Sequence, residues 1–247
     1  MKRLLIAAPV LVIAAIAAGV AGWWFFIRSD ASPLTDPLPI PSSLLSTATP
    51  TPATTGAGET TAPTSASGDQ TWAIVAGQSE ADYYVGETLA SLGVPSTANG
   101  KTSDISGTFY LSADGTALDS SQTSQFTVKL TTLQSDQSRR DQRVQDALET
   151  GQFPTATFTA ESVSGLPVTI AEGQQIEFQL TGTLDLHGVK KEVTWDVKAT
   201  RQANVISALA TLDFTFADYD ITAPNIGGFV SVQDHGTLQA VIIAQEQ

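Results

Sequence analysis

Leu180 to Val197, LTGTLDLHGVKKEVTWDV, is the stretch on which the fold turns. Phe178, Leu180, Leu184 and Leu186 share one parity, while Gln179, Thr181, Thr183 and Asp185 take the other. Val193, Trp195 and Val197 repeat the pattern against Thr194, Asp196 and Lys198. His187-Gly188-Val189-Lys190-Lys191 lies between them as a polar connection. Alternation of this kind predicts a β-hairpin with one apolar and one wet face. Its apolar side chains are large, so they cover either a packed core or a hydrophobic ligand.

The same alternation recurs on both sides. Trp72 and Ile74 mark a first strand, and Ala81, Tyr83 and Val85 face one way in a second. Ile105, Phe109 and Leu111 form a third, with Gly107 as a bend or bulge. Phe126, Val128 and Leu130 follow, then Ala156, Phe158 and Ala160. After the hairpin, Ile206, Ala208, Ala210, Leu212, Phe214 and Phe216 share a parity. The last strand, Leu238 to Ala244, is apolar at almost every position, which leaves its facing open. One helix is expected over Arg139 to Thr150. Ser138 and Asp141 have capping-box spacing, Val144 and Leu148 make an i,i+4 stripe, and Gly151 suits the stop. Antiparallel strands with a single helix predict a mainly β domain, closed as a barrel or stacked as a sandwich.

The N-terminal part reads differently. Leu4 to Ile27 carries no charge and ends in Trp23-Trp24-Phe25-Phe26, as a transmembrane helix with an aromatic belt would. Lys2 and Arg3 precede it and only Arg28 follows, which predicts a cytoplasmic N-terminus and an extracytoplasmic remainder. A cleaved signal peptide is the competing reading, with Ala18 to Ala21 as its weak cleavage site. Residues 29–70 hold seven of the twelve prolines among Thr, Ser, Ala and Gly. They are expected to form a disordered linker reaching about 35 to 40 Å as a coil. The expected organisation is therefore an anchor at 1–28, a linker at 29–70 and a β domain at 71–247.

Composition and motifs exclude several function classes. The chain of 247 residues has no cysteine, which removes disulfides, thiolate nucleophiles and cysteine metal sites. Its net charge of −13 argues against nucleic acid. No Gly-x-Ser-x-Gly elbow, phosphate loop or dinucleotide fingerprint is present. His187 and His235, beside Asp185 and Asp234, sit next to glycines in expected turns, and a zinc site would need a third ligand. Asp218 and Asp220 are spaced for one side of a strand, and a solvated strand end accounts for them. Asp114-Gly115 is a turn without the rest of a calcium loop. Arg139, Arg140 and Arg143 form a small basic cluster on the helix, for which a solvated helix face is the ordinary explanation and contact with an anionic head group the alternative. No catalytic residue, metal or cofactor is expected.

Taken in order, the residues resemble the YceI-like family. The resemblance rests on Thr71-Trp72, on Ser135-Asp136 leading to Arg140-Asp141, and on Phe153-Pro154-Thr155-Ala156-Thr157-Phe158. It continues through Gly182 to Lys191, Phe216-Ala217-Asp218-Tyr219 and Val230 to Gly236. Val75, Gln78 and Ser79 depart from the Asp, His and Ser that many members carry after the first Trp. The stretch Gly86 to Gly100 is longer and richer in Gly and Ser than the compact form. The resemblance implies a lipocalin-like, eight-stranded antiparallel β-barrel that holds an isoprenoid, an isoprenoid quinone or a similar long-chain amphiphile without covalent chemistry. The expected ligand-facing residues are Tyr83 and Val85, Phe109 and Leu111, Phe126 and Val128, and Phe158. They continue with Phe178, Leu180 and Leu184 in the hairpin's first strand, Trp195 in its second, and Leu212, Phe214 and Phe216 after it. An adhesion module with a solid core, presenting a patch around Phe229 and Val230, and a hydrolase using Asp218, Asp220 or His235 are the alternatives. Pairing with a second copy is left open.

Overall fold

A computed structural model describes residues 31–45, 69–89, 94–167, 169–224 and 230–247. The expected membrane span lies outside them, and no helix among the described residues is long and apolar enough to cross a membrane. Ten strands follow one another: β1 (Gln70–Ile74), β2 (Glu80–Leu89), β3 (Val94–Thr102), β4 (Ile105–Leu111), β5 (Gln125–Lys129), β6 (Thr155–Ser164), β7 (Gln175–Leu186), β8 (Val189–Gln202), β9 (Val205–Thr215) and β10 (Val230–Glu246). The helix α1 (Ser138–Ala147) joins β5 to β6.

The ten segments build eight staves of a closed antiparallel barrel. β1 and β2 run one after the other along the same edge of β10, first as Trp72↔Glu246 and Ile74↔Ala244, then as Glu80↔Val241 and Val85↔Gly236. β4 and β3 flank them in the same way, with Trp72↔Phe109 and Tyr83↔Gly100. From there the order β4-β5-β6-β7-β8-β9-β10 returns to the start. Beyond the end of β5, a bridge between Lys101 and Gln134 extends the seam. The ring is thus an up-and-down meander with two interrupted staves, as expected for a lipocalin-like barrel.

The break between β1 and β2 is stapled by one side chain. Val75 N–H donates to Ile243 O at 2.8 Å, after which the chain leaves the ladder. Ser79 then takes its place: Ile243 N–H donates to Ser79 Oγ at 2.9 Å, and the hydroxyl donates to Ile243 O at 3.1 Å. Ser79 is fully buried, so the hydroxyl satisfies groups that water cannot reach.

Several local expectations are corrected. The hairpin connection is only His187-Gly188, both with positive φ (55° and 77°), and Val189 to Lys191 already belong to β8. A two-residue turn of this kind matches the strand twist, which longer connections do not enforce. β3 was not expected as a strand. Its buried residues are Ser96, Ala98, Gly100 and Thr102, too small and polar to show an apolar alternation. The capping box at Ser138 and Asp141 does not form. Asp141 Oδ1 instead accepts from Ser135 N–H at 2.7 Å and from Ser135 Oγ at 2.6 Å. The helix ends at Ala147, and Glu149 rather than Gly151 takes the left-handed backbone, with φ 44°.

From Leu238 to Ala244, β10 is apolar at almost every position because both of its faces are covered there. Leu238, Ala240 and Ile242 face the interior, whereas Val241 and Ile243 are buried on the outside beside Val205 and Leu209 of β9. Residues 31–45, within the expected linker, lie across that outer face. Leu34 N–H donates to Gln239 Oε1 and Gln239 Nε2 donates to Leu34 O, both at 2.8 Å, so the amide mimics a strand partner. Ser207 Oγ donates to Leu38 O, and Asp36 accepts from Gln175 at 3.2 Å. Hydrogen bonds from its backbone and from Asp36 hold this segment, since Leu34 and Leu38 themselves stay exposed.

Two predictions follow from this wall. Ser79→Ala leaves Ile243 N–H without its acceptor and should lower stability by about 1 to 3 kcal/mol in urea unfolding. Asp82, the register partner of Gln239, is buried, and that burial pushes its carboxyl up from 3.8 to about 6. The folded state then holds the proton more tightly than the unfolded chain, so stability falls as pH rises through that interval. Asp82→Asn should melt higher than the parent above that range and no differently below it, as read by thermal scans across pH.

Candidate functional site

The barrel interior is a cavity of about 1260 Å³. It runs lengthwise, bordered by Asp114, Gly115 and Ala203 at one end and by Gln137, Arg140 and Arg143 of the helix end at the other. Its volume exceeds the range of about 300 to 1000 Å³ usual for drug-sized ligands. The wall is mainly apolar. Every residue expected to face a ligand borders it except Leu212, which is buried in the same apolar cluster but does not reach the cavity surface. Phe126, Phe178, Leu180 and Phe214 point inward yet are only partly buried, because they border open space.

An aromatic ladder crosses one side of the wall. Trp72 stacks on Phe109 at 6.1 Å, Phe109 meets Phe126 at 6.0 Å, Phe126 meets Phe158 at 6.4 Å, and Phe158 meets the edge of Trp195 at 5.9 Å. Strand register produces the ladder, since Trp72 opposes Phe109 and Phe126 opposes Phe158. Glycine makes room for it. A Cβ at Gly182 would come within 2.8 Å of the Phe158 ring, and one at Gly100 within 2.5 Å of the Tyr83 ring. On the remaining wall, Ala156, Ala160, Ala208 and Ala210 stand where large residues would fill the space. Sequence parity places these four alanines on the same face as Phe158 and Phe214, although only the large side chains are counted as ligand-facing.

Two polar atoms border the cavity without a hydrogen-bond partner: Glu87 Oε2 and Trp195 Nε1. Glu87 comes from β2 and points inward with Tyr83 and Val85. Arg140, from the first turns of α1, places Nη2 3.6 Å from Glu87 Oε2 and bonds Asp136 through Nη1. Burial raises the Glu87 carboxyl above the ordinary glutamate value, against the pull of Arg140. Arg140 was expected on a solvated helix face, and it is buried instead, because α1 turns it onto the barrel mouth. Arg139 and Arg143 are exposed. At the opposite end Arg201 lies over the Trp72 ring, 4.9 Å from its centre.

The residues considered for chemistry do not converge. His187 Nδ1 bonds the Tyr219 carbonyl at 2.9 Å and its ring packs edge-on against Phe153, which makes it a turn staple. His235 pairs with Asp234 in the open. Asp218 bonds Lys191 and Thr215, and these bonds hold its carboxyl below the usual range. Asp220 takes a left-handed backbone after the turn that ends β9. Among the described residues no group of three His, Cys, Asp or Glu could hold a metal ion. Phe229 lies outside the described residues, and Val230 is buried rather than part of a surface patch.

Known structures share this architecture. A polyisoprenoid-binding domain from Saccharophagus degradans, implicated in plant cell wall breakdown, superposes with a TM-score of 0.55 at 19% identity, covering 71% of this chain and 98% of that one. Burkholderia cenocepacia BcnA superposes with a TM-score of 0.51 at 14% identity, covering 69% of this chain and 98% of that one. At these identities the likeness is one of fold. No curated protein matches the chain. The family model for the YceI-like domain matches residues 72–244, from the first strand of the barrel almost to the end of the last. With its fold, its motifs and that match in agreement, the chain belongs to the YceI-like domain family.

Proposed function

We propose that this protein holds one long-chain isoprenoid or similar amphiphile in its barrel, for sequestration or transfer, with no covalent chemistry. The observation that carries this reading is the lengthwise apolar cavity of about 1260 Å³. An adhesion module would gain nothing from an open interior, which forfeits packing along its whole wall. A lipid tail restores that packing. Each buried CH₂ contributes about 0.8 kcal/mol, so several isoprene units offset a cost of association of about 4 to 15 kcal/mol. The polyisoprenoid-binding domain that shares this fold supports the same ligand class.

The charge-free run Leu4 to Ile27, with its basic residues mainly on the N-terminal side, supports a single-pass tether in the cell membrane. In this reading the N-terminus is cytoplasmic and the barrel extracytoplasmic.

Native mass spectrometry of the full chain, released from a mild detergent, tests the carrier. The expected result is a protein carrying one lipid-sized adduct, or taking up one added polyprenol. Ala210→Phe, which fills the lining from β9, should lower uptake by about tenfold or more while far-UV circular dichroism stays unchanged. Unimpaired uptake in that variant, or none in the parent, would count against an internal site.

A further inference from the structure

We infer that the segment clasped on the outer wall is a membrane-contact surface: Leu34 and Leu38 lie against the lipid, and the barrel rests on the bilayer along β9 and β10. The inference rests on the tether reading and says how the tethered barrel sits. Leu34 and Leu38 are the exposed large apolar side chains among the described residues. Both belong to one short segment, and the bonds that fix it leave them facing outward. The N–H and carbonyl of Leu34 meet the Gln239 amide, and the carbonyl of Leu38 meets the Ser207 hydroxyl. The polar backbone is thus turned to the barrel and the leucines to the outside.

Composition suits the segment to lipid. Pro33, Pro37, Pro39 and Pro41 have no N–H, so the backbone holds few donors that a lipid surface would leave unsatisfied. Asp36 is the only charged residue from Ala31 to Leu45, and it is matched by Lys198 Nζ at 3.7 Å and by Gln175 Nε2 at 3.2 Å. Chain length supplies the occupant. The charge-free run ends at Ile27, seven residues before Leu34, and seven residues reach at most about 25 Å. While the clasp holds, this wall stays beside the lipid into which the run inserts. A leucine pair held that close gains by leaving water for the boundary between head groups and acyl chains. With no basic residue in the segment, the contact is apolar rather than electrostatic. A barrel lying on this wall brings both ends of its cavity close to the head groups, so a lipid can pass in or out without crossing bulk water.

Because the chain has no cysteine, a single one can be introduced and labelled with an environment-sensitive fluorophore. Thr35→Cys reports the segment. Glu161→Cys, exposed on β6 and four staves from β10, reports the opposite wall. The labelled full chain is reconstituted in phosphatidylcholine vesicles, with and without lipid that carries a nitroxide near the head group. The label at position 35 should emit to the blue of its emission in water and be quenched by the nitroxide, at low and high salt alike. The label at position 161 should do neither. Leu34→Ser combined with Leu38→Ser should abolish both signals at position 35 while far-UV circular dichroism stays unchanged. Quenching that survives the double variant, or that is equal at the two positions, overturns the inference and leaves the tether standing. So does a blue-shifted label that the nitroxide does not quench, which would place a protein, such as a second copy of this chain, on the leucines. A chain that alkaline carbonate washes off the vesicles removes the tether reading itself.

Discussion

Closure of the sheet between β10 and the broken β1/β2 stave is the constraint on which everything else in the molecule depends. A barrel has no edge only if its last strand finds its first, and here the first is interrupted by five residues. The interruption lets β1 serve one half of β10 and β2 the other. Ser79 keeps the hydrogen-bond ladder whole across the gap by serving both polar groups of Ile243. Without that substitution of a hydroxyl for a peptide, the buried Ile243 N–H would lack an acceptor in the middle of the closing seam, while its carbonyl would keep only Val75.

Closure fixes the interior, and the interior is shaped by a division of labour between large and small residues. Aromatic rings line one arc, supported by strand register and by glycines beneath the Phe158 and Tyr83 rings. Alanines occupy much of the remainder. A wall of large residues all round would have met in the middle and made a solid core. A wall of small ones would have left the rings unsupported. The mixture leaves a lengthwise space and places the buried pair Glu87 and Arg140 at one end of it, with the exposed Asp136 beside the arginine.

Strand alternation made the barrel legible where inward residues are large, as from Phe178 to Val197, and every residue it placed toward a ligand except Leu212 borders the cavity. It failed where inward residues are small, which hid β3 behind Ser96, Ala98, Gly100 and Thr102. It was ambiguous in β10, whose outer face is covered by residues far away in sequence. Local helix rules placed α1 correctly but misassigned Asp141, because Ser135 offered it a closer partner than a cap would. Glu87 shares the parity of Tyr83 and Val85, and that was its one signal. Nothing in sequence spacing links it to Arg140, and only the closed barrel brings the two together.

The clasp of Gln239 on Leu34 has a topological consequence. Leu38 and Gln70 are both held on the same body, the first through Ser207 and the second through β1. Both ends of the intervening stretch are therefore fixed on one body. Lengthening it costs only about 0.6 kcal/mol per doubling and adds nothing to the barrel's range. How far the barrel stands from whatever precedes Ala31 is governed by the few residues before Leu34, however many prolines follow.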